Sequence, residues 1–219
     1  MDLNSTLIPG FWPWAHLLYW PLIAWALYRA PWSILSQRDS SNILFATCTA
    51  LFLIWQLRVQ VADGLDVHLL GSTLLTLMFR WQAALLGQAL ILLGMTLTTD
   101  ADFAAFAANG LLMGALPIGI SYLVWRINER FLPANYFVYI FVAAFLTAGI
   151  GMITVGHAAW WLLGITSDLP VETLDQFRWI FIPIMYPEAF LTGGAISIFV
   201  IYKPEWIATF DDRRYLRNR

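Results

Sequence analysis

Charge is scarce in this chain. Of 219 residues only 12% are Asp, Glu, Lys or Arg, about half the share of a soluble domain, while 60% are hydrophobic. Mean hydropathy is +0.68. One core of this size cannot hide that much apolar surface, so much of it must face lipid. The net charge of −2 supplies no basic field and excludes nucleic acid as a partner. Cysteine is limited to Cys48, inside an apolar run. That excludes an internal disulfide framework and a Cys-based zinc site, and leaves a small packing residue. Also missing are a phosphate-binding Gly-rich loop with Lys-Ser/Thr, a His-Glu-x-x-His run, a Gly-x-Ser-x-Gly elbow and Arg-rich voltage-sensing spacing. The chain is therefore not read as an enzyme. The start, Met1-Asp2-Leu3-Asn4-Ser5-Thr6, has no positive region and no small-residue cleavage site, so no removable signal peptide is expected.

What is present is a series of long apolar runs, which predicts an all-α, polytopic membrane bundle with a single transmembrane domain over residues 1–219. A spanning helix needs about 20 mostly apolar residues. Seven spans are predicted: Pro9 to Tyr28, Ile43 to Leu57, His68 to Phe79, Trp81 to Thr98, Phe103 to Trp125, Tyr136 to Ile165 and Trp179 to Tyr202. The third is short and is separated from the fourth only by Arg80, so the pair reads as a tight helical hairpin. Cytoplasmic loops are enriched in Lys and Arg. With the N-terminus outside, the inner segments hold Arg29, Arg38, Arg80, Arg126, Arg130, Lys203, Arg213, Arg214, Arg217 and Arg219, and the outer ones only Arg58 and Arg178. The C-terminus is then cytoplasmic, and a bacterial inner membrane is the expected location. The outer segments also carry Asp2, Asp63, Asp66, Asp100, Asp102, Asp168, Glu172 and Asp175. Two readings of them stay open: ordinary solvated loops, or a face that attracts cations.

Aromatic residues gather near span ends, as in Phe11-Trp12-Pro13-Trp14, Trp160-Trp161 and Trp206, where rings prefer the headgroup level. Small residues recur at a spacing of four, among them Ala26 and Ala30, Gly110 and Gly114, and Ala143, Thr147 and Gly151. They allow close helix approach within the chain or against a partner subunit. The segment after Lys203 is too short to fold alone and is expected to lie on the membrane surface or on a partner.

Ionisable groups inside a membrane are costly and default to functional hypotheses. Glu188 follows Pro187 in the seventh span, and the proline frees a backbone carbonyl one turn earlier. It is either a site residue or a carboxyl bonded to neighbouring helices. Asn109, in the fifth span, must bond across helices. His68 opens the third span beside the acidic outer loops, as a ligand or as a polar end-group. His16 and His157 read as packing residues.

These residues give the chain a resemblance to a family. Val67-His68-Leu69-Leu70-Gly71 is similar to the Ser-Gly-His-Leu-x-Gly of the CbiM/NikM family, the substrate-capture membrane subunits of cobalt and nickel energy-coupling-factor transporters. Trp81-Gln82-Ala83-Ala84-Leu85-Leu86 resembles the Trp-Ala-Ala segment that follows there. Ala107-Ala108-Asn109-Gly110-Leu111-Leu112-Met113-Gly114 resembles Gly-Ala-Asn-x-x-Asn-Met-Gly, and Glu188-Ala189-Phe190-Leu191-Thr192 resembles Glu-Gly-x-x-Thr. The markers run in order over most of the chain.

The resemblance implies uptake of a divalent transition metal, held as substrate at the outer face, with no permanent cofactor. In that family the N-terminal amine, the backbone nitrogen and imidazole of a His at position 2, and the third-span His surround the ion. Carried over, the ligands are Met1, position 2 and His68. Position 2 is Asp2 here. A carboxylate replaces an imidazole, so the planar all-nitrogen site suited to nickel or cobalt cannot form, and harder or less demanding ions are favoured. The resemblance also implies a coupling membrane subunit and cytoplasmic ATPases, besides membrane lipid, as partners. The alternative is a non-transporting accessory or assembly protein on the same scaffold. An intramembrane enzyme using Glu188 and His68 is disfavoured, since the two are expected at different depths.

Overall fold

In a computed structural model the described residues are 2–99 and 102–215. Met1, Asp100, Arg217 and Arg219, to which the sequence assigns roles, lie outside them. Six long helices form the bundle: α1 (Trp12–Arg29), α2 (Arg38–Trp55), α3 (Ser72–Thr98), α4 (Phe103–Phe131), α5 (Tyr136–Thr166) and α6 (Val171–Tyr202). Among the described residues the last four are long and apolar enough to cross a membrane. The bundle turns large apolar side chains outward, Trp14, Leu17 and Leu18 on α1 and Phe190 and Ile201 on α6 among them. That is the surface of a helical membrane protein.

α3 is not one rod. Arg80 has φ 63° and ψ 169°, a region that essentially only glycine populates, at a cost on the order of 1–3 kcal/mol. In an unbroken helix residues 75 and 87 would stand about 18 Å apart. Instead Leu75 Cδ2 is 3.8 Å from where a Cβ on Gly87 would stand, and Gln88 Nε2 reaches the Leu70 carbonyl at 3.4 Å. The chain therefore folds back at Arg80. Its first arm, residues 72–79, is buried at every position and only about 12 Å long, far short of the roughly 30 Å hydrocarbon core. Two expectations change here. The third helix starts at Ser72, not at His68, and its eight residues make a half-helix. The seventh helix starts at Val171 rather than Trp179, directly after Pro170, and carries Pro183 and Pro187 within it.

The carbonyls at the end of a helix need donors. For the half-helix these come from the segment after α6: the Ala208 and Thr209 N–H groups donate to Met78 and Leu77 at 2.9 and 3.2 Å, and Thr209 Oγ1–H donates to Leu77 at 2.7 Å. Tyr139 Oη and Trp125 Nε1 hold Thr209 in turn, at 2.7 and 3.2 Å. This part of the tail thus packs on its own chain, not on the membrane surface.

A small antiparallel sheet, unforeseen in an all-α reading, sits at the opposite end of the half-helix. β1 (Asp2–Leu3), β2 (Val59–Ala62) and β3 (Leu65–Val67) run in the order β1-β3-β2, with Asp2 opposite Asp66 and Leu3 opposite Leu65. The Asp63-Gly64 turn between two short β-prone runs is the hairpin signal the sequence carried.

Small residues are used inside the chain. Gly114 lies against Gln88, Gly151 against Pro117, and Gly110 beneath the Tyr19 ring. A Cβ on Gly110 would stand 2.5 Å from that ring. Gly110→Ala is expected to cost about 1–3 kcal/mol, read as a lower Tm in mild detergent; Gly119→Ala, where a Cβ meets nothing within 4 Å, is the control.

Candidate functional site

The site is assembled where β1 meets the segment leading into the half-helix. β1 is clamped as a strand partner would clamp it. Leu3 N–H donates to Asn109 Oδ1 at 3.0 Å and Asn109 Nδ2 returns a bond to the Leu3 carbonyl at 2.9 Å. Asn109 was expected to bond across helices; it bonds a peptide instead. Asn4 N–H reaches Gly64 at 3.0 Å, and Ser5 Oγ–H donates to Asp102. That bond holds the Asp102 carboxyl below the usual carboxylate range.

These contacts carry the Asp2 side chain inward, 7% exposed, to face His68. His68 Nε2 and Asp2 Oδ2 are 3.9 Å apart. Neither carboxylate oxygen of Asp2 has a hydrogen-bond partner among the described residues. Burial pushes the Asp2 carboxyl up from its ordinary value, against the pull of nearby positive charge that includes Arg58 and with a small push from Asp66.

The His68 ring lies on Trp55 with centroids 4.3 Å apart. Its Nδ1 is 2.7 Å from the Leu69 carbonyl. A carbonyl only accepts, so Nδ1 carries a proton, and in a neutral ring Nε2 presents its lone pair toward Asp2. The backbone behind it is pinned on all sides. Glu188 accepts from the Leu70 and Gly71 N–H groups, at 2.7 and 2.8 Å, one on each carboxyl oxygen. Trp55 Nε1 and Gln88 Nε2 donate to the Leu70 carbonyl at 3.2 and 3.4 Å. Gly71 has φ 67°, and a Cβ there would strike Leu51. Pro117, four residues on, has no N–H to offer the Met113 carbonyl, which instead accepts from Ser72 Oγ–H and Gln88 Nε2 at 2.7 and 3.3 Å.

Asp2 and His68 are thus brought together, and Asn109 supports them. Glu188 bonds Leu70 and Gly71, two and three residues after His68, and both its oxygens face these backbone donors. His16 bonds Ala104 and Trp20, at 3.0 Å each, and the His157 ring bonds Ile153 within its own helix at 2.9 Å. Sequence reasoning missed Trp55 and Gln88, whose runs look like ordinary apolar span. No group of three or more His, Cys, Asp or Glu able to hold a metal occurs among the described residues. Two donors about 2.0–2.2 Å from one ion stand at most about 4.4 Å apart, so Asp2 and His68, at 3.9 Å, can reach the same ion at a wide angle. Beside them opens a polar cavity of about 470 Å³, lined by Asp2, Asn4, Arg58, Gln60, Asp66 and Asp102, with Arg58 and Asp66 paired at 3.3 Å.

Residues 7–206 match the family described as the cobalt uptake substrate-specific transmembrane region, CbiM. A curated relative, the cobalt transport protein CbiM of Salmonella typhimurium, is 26% identical over 133 residues, 59% of this chain; the aligned stretch spans only 54% of that relative's length. Two crystal structures share the fold. A truncated transition metal transporter superposes with TM-score 0.75 at 15% identity, over 92% of this chain and 98% of that one. A second transition metal transporter gives 0.73 at 15% identity, over 92% and 93%.

Glu188→Ala would strand two buried N–H groups and is expected to cost about 3 kcal/mol or more, against about 1–2 for Glu188→Gln, which keeps one acceptor; denaturant or thermal unfolding in detergent measures the difference. A carboxyl raised by folding stabilises most below its unfolded value of about 3.8 and loses that contribution as pH rises through the folded value. Protection of the β1 amides from hydrogen exchange in metal-free protein should therefore fall as pH rises above about 3.8, and Asp2→Asn should remove that dependence.

Proposed function

This chain belongs to the CbiM family, and from that premise we propose that it is the membrane subunit of a transporter that captures a divalent transition-metal ion at its outer face. The observation that carries the reading is the buried, facing pair of Asp2 and His68, 3.9 Å apart. The Nδ1 bond of His68 fixes the ring and leaves Nε2 toward the ion, as a hydrogen bond behind a metal-ligating imidazole does. The amine of Met1 is the further donor that the family resemblance implies. One carboxylate and one imidazole make a mixed oxygen and nitrogen set, less selective for a square-planar ion than an all-nitrogen one. The acidic side chains around the neighbouring cavity raise the local concentration of cations.

The proposal includes seven membrane segments, the half-helix counted as the third, with the N-terminus outside and the C-terminus in the cytoplasm of a bacterial inner-membrane protein. The excess of basic residues on the inner segments supports this orientation. With no phosphate-binding loop in the sequence, energy comes from separate cytoplasmic ATPases through a coupling membrane subunit. Asp2 in place of the family's His favours a second reading, an accessory protein on the same scaffold that binds no metal.

Metal content and binding of the purified protein separate the two. Binding of cobalt, nickel or manganese is expected, with the Kd raised more than about 10-fold by His68→Ala in a variant that keeps its helical circular dichroism while its Tm falls through lost packing on Trp55. Metal at background level, or binding indifferent to His68, overturns the transport reading.

A further inference from the structure

We propose that the lipid-facing slot between α2 and α6 binds one anionic phospholipid, with an acyl chain along the slot and the phosphate on Arg80. The slot holds about 510 Å³. Ala46, Ala50 and Ile54 of α2 and Leu191 and Phe199 of α6 wall it, and Met78 of the half-helix lies in its floor. It exists because α2 packs principally on α3 and turns the small, exposed Ala46 and Ala50 toward the gap. Thr47, a polar wall residue, donates its hydroxyl proton to the Ile43 carbonyl at 2.8 Å, so it makes no call for water.

Three features fit a phospholipid. The slot follows α2 from Asn42 to Ile54, about 18 Å, close to the roughly 15 Å hydrocarbon depth of one leaflet. At its Trp206 end it adjoins a second cavity of about 280 Å³, which shares Ile43, Met78 and Trp206 as lining and adds Ser40, Arg80 and Glu205. There Arg80 is exposed and makes no ion pair with a described residue, while Glu205 is paired with Lys203 at 3.6 Å.

The charge complement is specific. Arg80 sits at the fold-back of α3 in a backbone conformation that favours glycine, so its cation is held where the backbone alone would not choose it. A guanidinium binds phosphate oxygens in a bidentate fork, and anionic lipids populate the cytoplasmic leaflet. Trp206 adds an indole of the kind that settles at headgroup level. The site rests on the membrane-embedded orientation proposed above and is independent of the metal reading.

Native mass spectrometry of the full chain, released from nanodiscs of equal phosphatidylglycerol and phosphatidylcholine, tests it. One retained phospholipid per chain is expected, with phosphatidylglycerol favoured at least about 5-fold. Arg80→Gln should bring that preference close to one while lipid is still retained. Ala50→Trp should abolish retention; Ala46→Leu, a smaller filler, should weaken it and serves if the Trp variant does not fold. Retention without headgroup preference in the unaltered protein, or retention unchanged in the filled variants, overturns the proposal. So does a cross-link from Ala46→Cys to another protein's helix in native membranes. Metal binding measured on the same samples should be unchanged in Arg80→Gln, so loss of the lipid site and loss of the metal site read out separately.

Discussion

Two backbone N–H groups in the apolar interior, those of Leu70 and Gly71, have to be satisfied, and Glu188 takes both. Lipid offers no alternative donor or acceptor, so non-helical backbone at this depth persists only where protein groups complete it. Most of the architecture follows from that constraint. Residues 68–71 can leave helical geometry because Glu188 receives their N–H groups while Trp55 and Gln88 donate to the Leu70 carbonyl. The turn at Gly71 needs a residue without a Cβ and has one. Once the segment is fixed, the His68 ring has one place to lie, on Trp55 and facing β1. An intramembrane carboxyl, by default a functional suspect, here works on the backbone that follows His68.

The same economy governs β1. Two residues form no stable strand alone, yet Asp2 and Leu3 are buried. Asn109 presents an amide to Leu3 with peptide-like complementarity, and β3 supplies the other edge. The outcome is a carboxylate and an imidazole held across a narrow gap, with a polar cavity beside them. Asp2 therefore occupies an inward, ordered position. Relative to His, it offers oxygen donors in place of an imidazole nitrogen.

Much of this was legible in the sequence, and what was not has physical reasons. The long apolar helices came from hydropathy, and the fold-back from the position of Arg80 between two apolar runs. The ordered markers around His68, Asn109 and Glu188 pointed to the family. The half-helix escaped because an eight-residue apolar run looks like part of a span until something shows where it stops. The sheet escaped because three strands of two to four residues leave little periodic signal, and β1 exists only by tertiary pairing. Trp55 and Gln88 act through single hydrogen bonds to one carbonyl, a role that no spacing announces. Glu188 was found, but its closeness to His68 was not, because depth counted from a span's start fails when the helix begins eight residues earlier.

The half-helix is tied at both ends, to Glu188 through the residues just before it and to Thr209 through its last carbonyls. Its length is therefore a fixed ruler. One residue added or removed within 72–79 would turn one end by about 100° against the other and shift it by about 1.5 Å, so both attachments could not survive. Insertions and deletions should thus be tolerated in loops such as residues 167–170 and excluded from this stretch, which would drift in composition across relatives while keeping its count of residues.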